Sequence, residues 1–111
     1  MMETTLVTAD WLNAQSAEEI MIFDATYYLP TMGRDGYSEF KKAHIPGAVF
    51  FDIDGIKDED SGLPHMIPSA ENFQTEMQNL GLKNGQQVVA YDNSPFLSSA
   101  RAWWMLRFFG H

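Results

Sequence analysis

Short apolar runs alternate along this chain with segments of helical character. Three continuous apolar runs are typical of strands buried on both faces, and they lie at residues 20–25, 48–51 and 87–91. Helices are predicted between and around them, at residues 9–12, 37–43, 69–80 and 99–109. Strands separated by helices favour parallel pairing. The pattern therefore predicts an α/β fold in one domain, residues 1–111.

The local signals at the helix ends agree with these assignments. Thr8 and Ser69 are expected N-caps, because their hydroxyl oxygens can accept from N–H groups of the first turn. Gly81 is the expected C-cap of the third helix, because glycine tolerates the left-handed conformation. Residues 6–8 are expected to form a short extended start.

Charge and residue content limit the classes of partner. Seven Lys and Arg against fifteen Asp and Glu give a formal net charge of −8, which argues against a nucleic-acid or anionic-membrane surface. No apolar run approaches the roughly 18 residues of a membrane span. The N-terminus lacks the features of a secretory signal and the chain contains no cysteine, so we expect a cytoplasmic protein.

The absence of cysteine also restricts the chemistry. A thiolate nucleophile, a persulfide, a disulfide and a Cys-ligated metal are all excluded within these residues. No motif indicates another metal or a cofactor, so none is expected. The acidic run at residues 58–60 does not match a calcium loop and is interpreted as a solvated surface.

Two histidines and an Asp-x-Asp pair are the candidate chemical groups. His44 lies in a Pro-Gly turn and is interpreted as a structural hydrogen-bonding residue. His65 lies in a loop between two prolines, a setting that favours an exposed residue when taken alone. Asp52 and Asp54 follow an apolar strand. Either one carboxylate caps the next turn, or the pair serves magnesium-dependent phosphoryl transfer.

The strand, loop and helix at residues 88–109 form an arrangement that often binds anions. Asp92 at its entrance has the wrong charge for that role. Arg101 is predicted to pair with Asp92 or another carboxylate, and Arg107 to be a solvated charge. Four aromatic residues of this last helix are expected in the core or at an interface, namely Trp103, Trp104, Phe108 and Phe109.

Taken together, these segments resemble the rhodanese family, and in particular the N-terminal domain of its two-domain sulfurtransferases, which act on thiosulfate or 3-mercaptopyruvate. The similarity extends over most of the chain and includes residues 23–30, 33–35, 40–48, 50–54, 64–66, 88–92 and 100–111. Its most specific parts are Phe-x-x-x-His-Ile-Pro-Gly-Ala, the Trp-Trp pair and the final Phe-Gly-His. The resemblance implies a rhodanese-like parallel sheet with helices on both faces.

The resemblance also implies a chemistry and a set of roles. In that family a cysteine of the active loop carries sulfane sulfur as a persulfide and passes it to a thiophilic acceptor, such as cyanide or a thiol. Asp92 occupies that cysteine's position here, so this chain has no nucleophile of its own. Asp54 and His65 match an accessory relay that serves a serine of the C-terminal catalytic domain. The implied partners are that domain and a small anionic sulfur donor.

Two further expectations concern the extent of the chain. Only Gly110 and His111 follow the last predicted helix, so we expect an N-terminal domain that is incomplete at its C-terminus and inactive alone. An incomplete sheet exposes an edge and an apolar face, which predicts a homodimer with the Trp103–Trp104 helix at the contact. The alternative is a non-catalytic rhodanese-like module for protein interaction or regulation.

Overall fold

The computed structural model describes residues 6–16, 18–58, 60–63, 65–94 and 98–111. In chain order the elements are α1 (Ala9–Asn13), β1 (Ile20–Asp24), a 3-10 turn (Pro30–Met32), α2 (Gly36–Lys42), β2 (Val49–Phe50), α3 (Ala70–Leu80), β3 (Gln87–Tyr91) and α4 (Ser98–Phe108). The α/β prediction is confirmed, with bounds that differ from the expected ones by one residue at most. The described residues contain no helix long and apolar enough to cross a membrane.

The three strands form a parallel sheet in the order β2-β1-β3. Phe23 of β1 is in register with Val49 of β2 on one side and with Ala90 of β3 on the other. Because the strands are parallel, their carboxyl ends meet at one edge of the sheet, where ligand sites of open α/β folds are found. The segments that follow the strands therefore lie close together.

Helices cover both faces of this sheet, as expected. The face that carries Phe23 packs against α3 and α4 and forms the main core, which includes Phe51, Phe73, Met77, Met105 and Leu106. On the other face, Phe50 packs against Tyr37 and Phe40 of α2 at ring-centroid distances of 5.3 and 5.7 Å.

The predicted helix caps are present. The side chains of Thr8 and Ser69 accept from the N–H groups of Trp11 and Asn72, and Gly81 adopts the left-handed conformation at φ 92°. Residues 6–8 join no strand in the described part of the chain, so the expected extended start leads directly into α1.

The face of α4 that packs on the core is not the one that carries most of its aromatic residues. Its buried stripe consists of Ala102, Met105 and Leu106, and Phe109 stacks on Phe73 beyond its end. Three of its aromatic residues are exposed, namely Trp103 (40%), Trp104 (42%) and Phe108 (59%). Of the two expected settings, core or interface, the core is excluded for these three, because the helical repeat of 3.6 residues places them away from the sheet.

Candidate functional site

Polar groups gather at the carboxyl edge of the sheet. Asp24 ends β1 and is 2% exposed. Its carboxylate accepts from the N–H and the hydroxyl of Thr26, at 3.1 and 2.6 Å. The Thr26 hydroxyl oxygen in turn accepts from the N–H of Asn93, after β3. These hydrogen bonds connect the carboxyl ends of β1 and β3 and hold the segments that follow them in place.

The two residues predicted as a relay lie together at this edge. His65 Nε2 is 3.1 Å from Asp54 Oδ1, a hydrogen-bond distance. The Asp54 side chain is 65% exposed and that of His65 is 29% exposed. Lys57 Nζ also lies 3.6 Å from the same Asp54 oxygen. A carboxylate that accepts from an imidazole Nε2–H leaves Nδ1 as the basic nitrogen.

His65 is held from three directions. Asp54 binds its Nε2, and the Tyr27 ring meets its imidazole edge-on at a centroid distance of 4.9 Å. The guanidinium of Arg101, in the first half of α4, donates to the main-chain carbonyl oxygen of His65. The backbone of His65 itself is left-handed, with φ 55°.

A shallow depression of about 480 Å³ opens beside this pair. It is lined by Tyr27, Ile53, His65, Ser98, Ala100, Arg101 and Trp104. Its walls therefore combine an imidazole, a guanidinium and aromatic rings. Such a surface can receive a small anion or a polar side chain of another domain.

Asp52 turns the chain rather than facing the depression. Its carboxylate accepts from the N–H of Asp54 at 3.1 Å, and its carbonyl oxygen accepts from Gly55 and Ile56. This is the turn-capping interpretation of the Asp-x-Asp segment. A second hollow, of about 520 Å³, lies beyond it and is lined in part by Asp52, Asp54 and Arg34.

Asp92, at the position where the resemblance places a cysteine, is a structural acceptor. One carboxylate oxygen accepts from the Ser94 N–H at 3.1 Å and the other from the Ser99 N–H at 2.8 Å. Asp92 thus binds the first turn of α4, where the helix dipole favours a negative charge. The predicted pairing of Arg101 with Asp92 is not found. Within the described residues Arg101 forms no ion pair, because its guanidinium reaches the loop of His65 instead.

His44 has the structural role expected of it. Its Nδ1 lies 2.6 Å from the carbonyl oxygen of Phe40, and its ring stacks on the Phe40 ring at 4.0 Å. Nearby, Asp35 caps α2 by accepting from the hydroxyl and the N–H of Ser38, and these two bonds hold the pKa of Asp35 below its usual range. The Arg34–Glu39 pair likewise lowers the pKa of Glu39, chiefly through their hydrogen bonds.

Sequence reasoning missed the surroundings of His65. Tyr27 was not predicted as part of the site, and Arg101 was predicted to bind a different partner. The position of Tyr27 just after β1 could have indicated its place in the site. Residues that follow neighbouring strands of a parallel sheet lie together at the carboxyl edge. No local signal links Arg101 to His65, since the contact spans 36 positions.

The chain is similar to known proteins over most of its length. The sequence model of the rhodanese-like domain family matches residues 8–111. Thiosulfate/3-mercaptopyruvate sulfurtransferase 1, mitochondrial, of Arabidopsis thaliana is 46% identical over 107 residues, which are 96% of this chain and 28% of that protein. The 3-mercaptopyruvate sulfurtransferase of Escherichia coli K12 is 44% identical over 112 residues, 99% of this chain and 40% of that protein.

Solved structures of related proteins are also similar to this chain. The crystal structure of the 3-mercaptopyruvate sulfurtransferase SseA from Escherichia coli matches with a TM-score of 0.82 and 43% identity, over 95% of this chain and 41% of that one. The Tum1 protein of Saccharomyces cerevisiae matches with a TM-score of 0.83 and 37% identity, over 92% of this chain and 34% of that one. The chain thus spans less than half the length of these similar proteins.

Proposed function

This chain belongs to the rhodanese-like domain family, and we propose on that basis that it supplies the accessory half of a sulfurtransferase active site. The reaction moves sulfane sulfur from thiosulfate or 3-mercaptopyruvate to a thiophilic acceptor such as cyanide or a thiol. The sulfur travels as a persulfide on a cysteine of a second, catalytic rhodanese domain, because this chain has no cysteine. The chain alone is inactive under this proposal.

The observation that carries the proposal is the 3.1 Å contact between His65 Nε2 and Asp54 Oδ1. The carboxylate orients the imidazole and favours the Nε2–H form, which leaves Nδ1 able to take up a proton. In the described part of the chain Nδ1 has no hydrogen-bond partner. A serine of the catalytic domain is the group this nitrogen would serve.

The sulfur chemistry then takes place on the partner domain. Its cysteine thiolate attacks the donor sulfur and forms the S–S bond of the persulfide. The C–S bond of 3-mercaptopyruvate breaks, and the enolate that departs takes a proton to become pyruvate. With thiosulfate the S–S bond breaks and sulfite departs. The His65 relay is needed for the proton in the first case, so we expect it to matter most with 3-mercaptopyruvate.

A chimera tests this role. The chain replaces the aligned 40% of the Escherichia coli 3-mercaptopyruvate sulfurtransferase, whose remaining part supplies the cysteine. We expect His65→Gln to lower kcat/KM for 3-mercaptopyruvate by about 10²–10⁴-fold. We expect Asp54→Asn to lower it by about 10-fold or more. His44→Gln is the matched control, because the hydrogen bond and the ring contact of that histidine are made to Phe40 of α2.

The isolated chain is measured in parallel. We expect no thiosulfate:cyanide or 3-mercaptopyruvate:cyanide turnover above that of a heat-treated sample. Turnover by the pure chain would overturn the assignment of the nucleophile to another domain. Full activity of the His65→Gln chimera would overturn the relay.

The alternative function is a non-catalytic rhodanese-like module for protein interaction or regulation. The structural role of Asp92 and the exposed aromatic residues of α4 favour it. This alternative is supported if both relay variants of the chimera keep full activity with 3-mercaptopyruvate.

The proposal includes partners and a location. Trp103, Trp104 and Phe108, which we call the aromatic face of α4, would contact the catalytic domain. Trp104 also lines the depression beside His65. The same face would join two copies of this chain when no catalytic domain covers it. A cytoplasmic location is part of the proposal and is tested by cell fractionation; one Arabidopsis relative carries the name mitochondrial.

A further inference from the structure

We propose that Arg101 is a positioning residue, which holds the main chain at His65 so that the imidazole faces Asp54. The inference rests on the proposed function of that pair and goes one step further, because it assigns a role to a residue of a different element. Three observations support the inference. They are the left-handed backbone of His65, the hydrogen bond that Arg101 donates to its carbonyl oxygen, and the attachment of α4 to the sheet.

The backbone of His65 needs external support. It is the one non-glycine residue with a positive φ among the described residues. Left-handed backbone is unfavourable for residues with a Cβ atom and persists where the surroundings hold it. The ring contacts with Asp54 and Tyr27 act on the side chain. A contact on the main chain of His65 acts on the backbone more directly.

Arg101 makes that contact. Its Nη2 donates to the carbonyl oxygen of His65, and a guanidinium donor makes such a bond stronger than one between neutral groups. Burial lowers the pKa of Arg101, but an arginine remains charged in proteins. Its guanidinium carbon also lies 5.6 Å from the centroid of the Trp104 ring. No ion pair with a carboxylate competes for this cation within the described ranges.

The helix that carries Arg101 is firmly attached to the carboxyl edge of the sheet. The Ser98 hydroxyl donates to the carbonyl oxygen of Ala25 at 2.6 Å, and its oxygen accepts from the N–H of Tyr27 at 3.2 Å. Asp92 holds the same first turn through the Ser99 N–H. The start of α4 is therefore a fixed base from which the guanidinium reaches the loop of His65.

Arg107 provides a matched comparison on the same helix. Its guanidinium carbon lies 5.1 Å from the Trp103 ring, so both arginines stack on a tryptophan. Arg107 is exposed, and it makes no hydrogen bond to the loop of His65 in the described part of the chain. Removal of either side chain changes the net charge equally, but only the loss of Arg101 frees the carbonyl oxygen of His65.

The test is NMR spectroscopy of the isotope-labelled chain and its Arg101→Met, Arg101→Lys and Arg107→Met variants. The intraresidue HN–Hα NOE of His65 reports the positive φ. Long-range ¹H–¹⁵N spectra report the Nε2–H form, and His65→Gln assigns the signals. We expect Arg101→Met to weaken the NOE at least twofold and to lose the single Nε2–H form. Arg107→Met should keep both, and Arg101→Lys should retain part of each.

Three outcomes decide the inference. It is overturned if Arg101→Met leaves both signals of His65 unchanged, or changes them no more than Arg107→Met does. If Arg101→Met does not fold, as judged by amide dispersion, Arg101→Lys decides: wild-type signals in that folded variant overturn the inference, and weakened signals support it.

Activity of the chimera separates this inference from the proposed function. A positioning role predicts that Arg101→Met lowers kcat for 3-mercaptopyruvate, and that it adds less than twofold to the loss in a His65→Gln background. If Arg101→Met lowers kcat as much in the His65→Gln background as it does in the wild type, Arg101 does not act through His65. If His65→Gln itself leaves kcat unchanged, the proposed function fails, while the NMR result still decides the positioning role.

Discussion

At the scale of single residues, the hydroxyl of Tyr91 is the clearest case of a side chain that joins separate segments. It accepts from the N–H of Ile45 at 3.2 Å. Burial raises the pKa of Tyr91, the N–H of Ile45 lowers it in part, and the negative charge of the nearby Asp24 carboxylate raises it. The phenol thus links β3 to the turn before β2.

The raised pKa of Tyr91 predicts a loss of stability at alkaline pH. A pKa that is raised in the folded state means that the neutral phenol is favoured by folding. Its contribution is therefore complete below the unfolded pKa of about 10 and is lost as the pH rises through the higher folded value. We expect Tyr91→Phe to lower the free energy of unfolding by about 1–2 kcal/mol near pH 8.

The difference between wild type and Tyr91→Phe should shrink above about pH 10. Urea denaturation across this range measures it, and Tyr28 is present in both proteins, so its own raised pKa cancels. Tyr37→Phe serves as the control, because that ring is 50% exposed. A pH-independent difference would show that the Tyr91 phenol does not titrate as proposed.

At the scale of elements, α4 is the part of the fold on which the candidate site depends. Its buried stripe packs on the core, its first turn is bound by Asp92, and its Arg101 reaches the loop of His65. One helix thus connects the core to both sides of the depression. Its exposed aromatic face is available for another protein surface.

We expect Asp92→Ala to destabilise the chain by about 1–2 kcal/mol, since N–H groups of the loop and of the first turn of α4 lose their acceptor. Asp92→Asn should lose less, because it keeps an acceptor oxygen. Guanidinium denaturation gives the values, and Asp60→Ala, in an exposed loop, is the control. An unchanged midpoint for Asp92→Ala would contradict the structural role assigned to this residue.

At the scale of the whole molecule, a net charge of −8 is combined with an exposed aromatic face. The like charges oppose self-association, whereas burial of aromatic side chains favours it. The balance between these two terms depends on ionic strength, because salt screens the exposed charges.

We expect the chain to form homodimers at high concentration, and to do so more strongly as the salt concentration rises. Trp104→Ser should shift the equilibrium towards monomer, whereas Leu29→Ser, outside the aromatic face of α4, should not. Sedimentation velocity at two salt concentrations measures both effects. A wild-type monomer throughout, or equal behaviour of the two variants, would contradict the proposed contact.

Much of the fold could be predicted, because its signals are local. Apolar runs predicted β1, β2 and β3, and single capping residues such as Thr8 and Ser69 predicted where helices begin. The site was predicted only in part. Asp54 and His65 were paired through a family resemblance, and the structure places them in contact. Their catalytic role stays a prediction.

What the sequence left open or predicted wrongly concerns long-range geometry. Side-chain hydrophobicity left open whether Trp103 lies in the core or at an interface, because the orientation of α4 on the sheet decides which stripe is buried. Charge alone suggested that Arg101 would bind a carboxylate, but the reach of its side chain from α4 places it at a carbonyl oxygen.

The amino-acid order was sufficient for the elements, the parallel α/β class and the absence of a nucleophilic thiol, because these depend on neighbours in sequence or on composition. Only the tertiary structure could bring Tyr27, Asp54, His65 and Arg101 to one edge of the sheet. The physical reason is that parallel strands collect their carboxyl ends at that edge, so distant segments meet there. The left-handed backbone of His65, which was not predicted from the sequence, is likewise seen only in the tertiary structure.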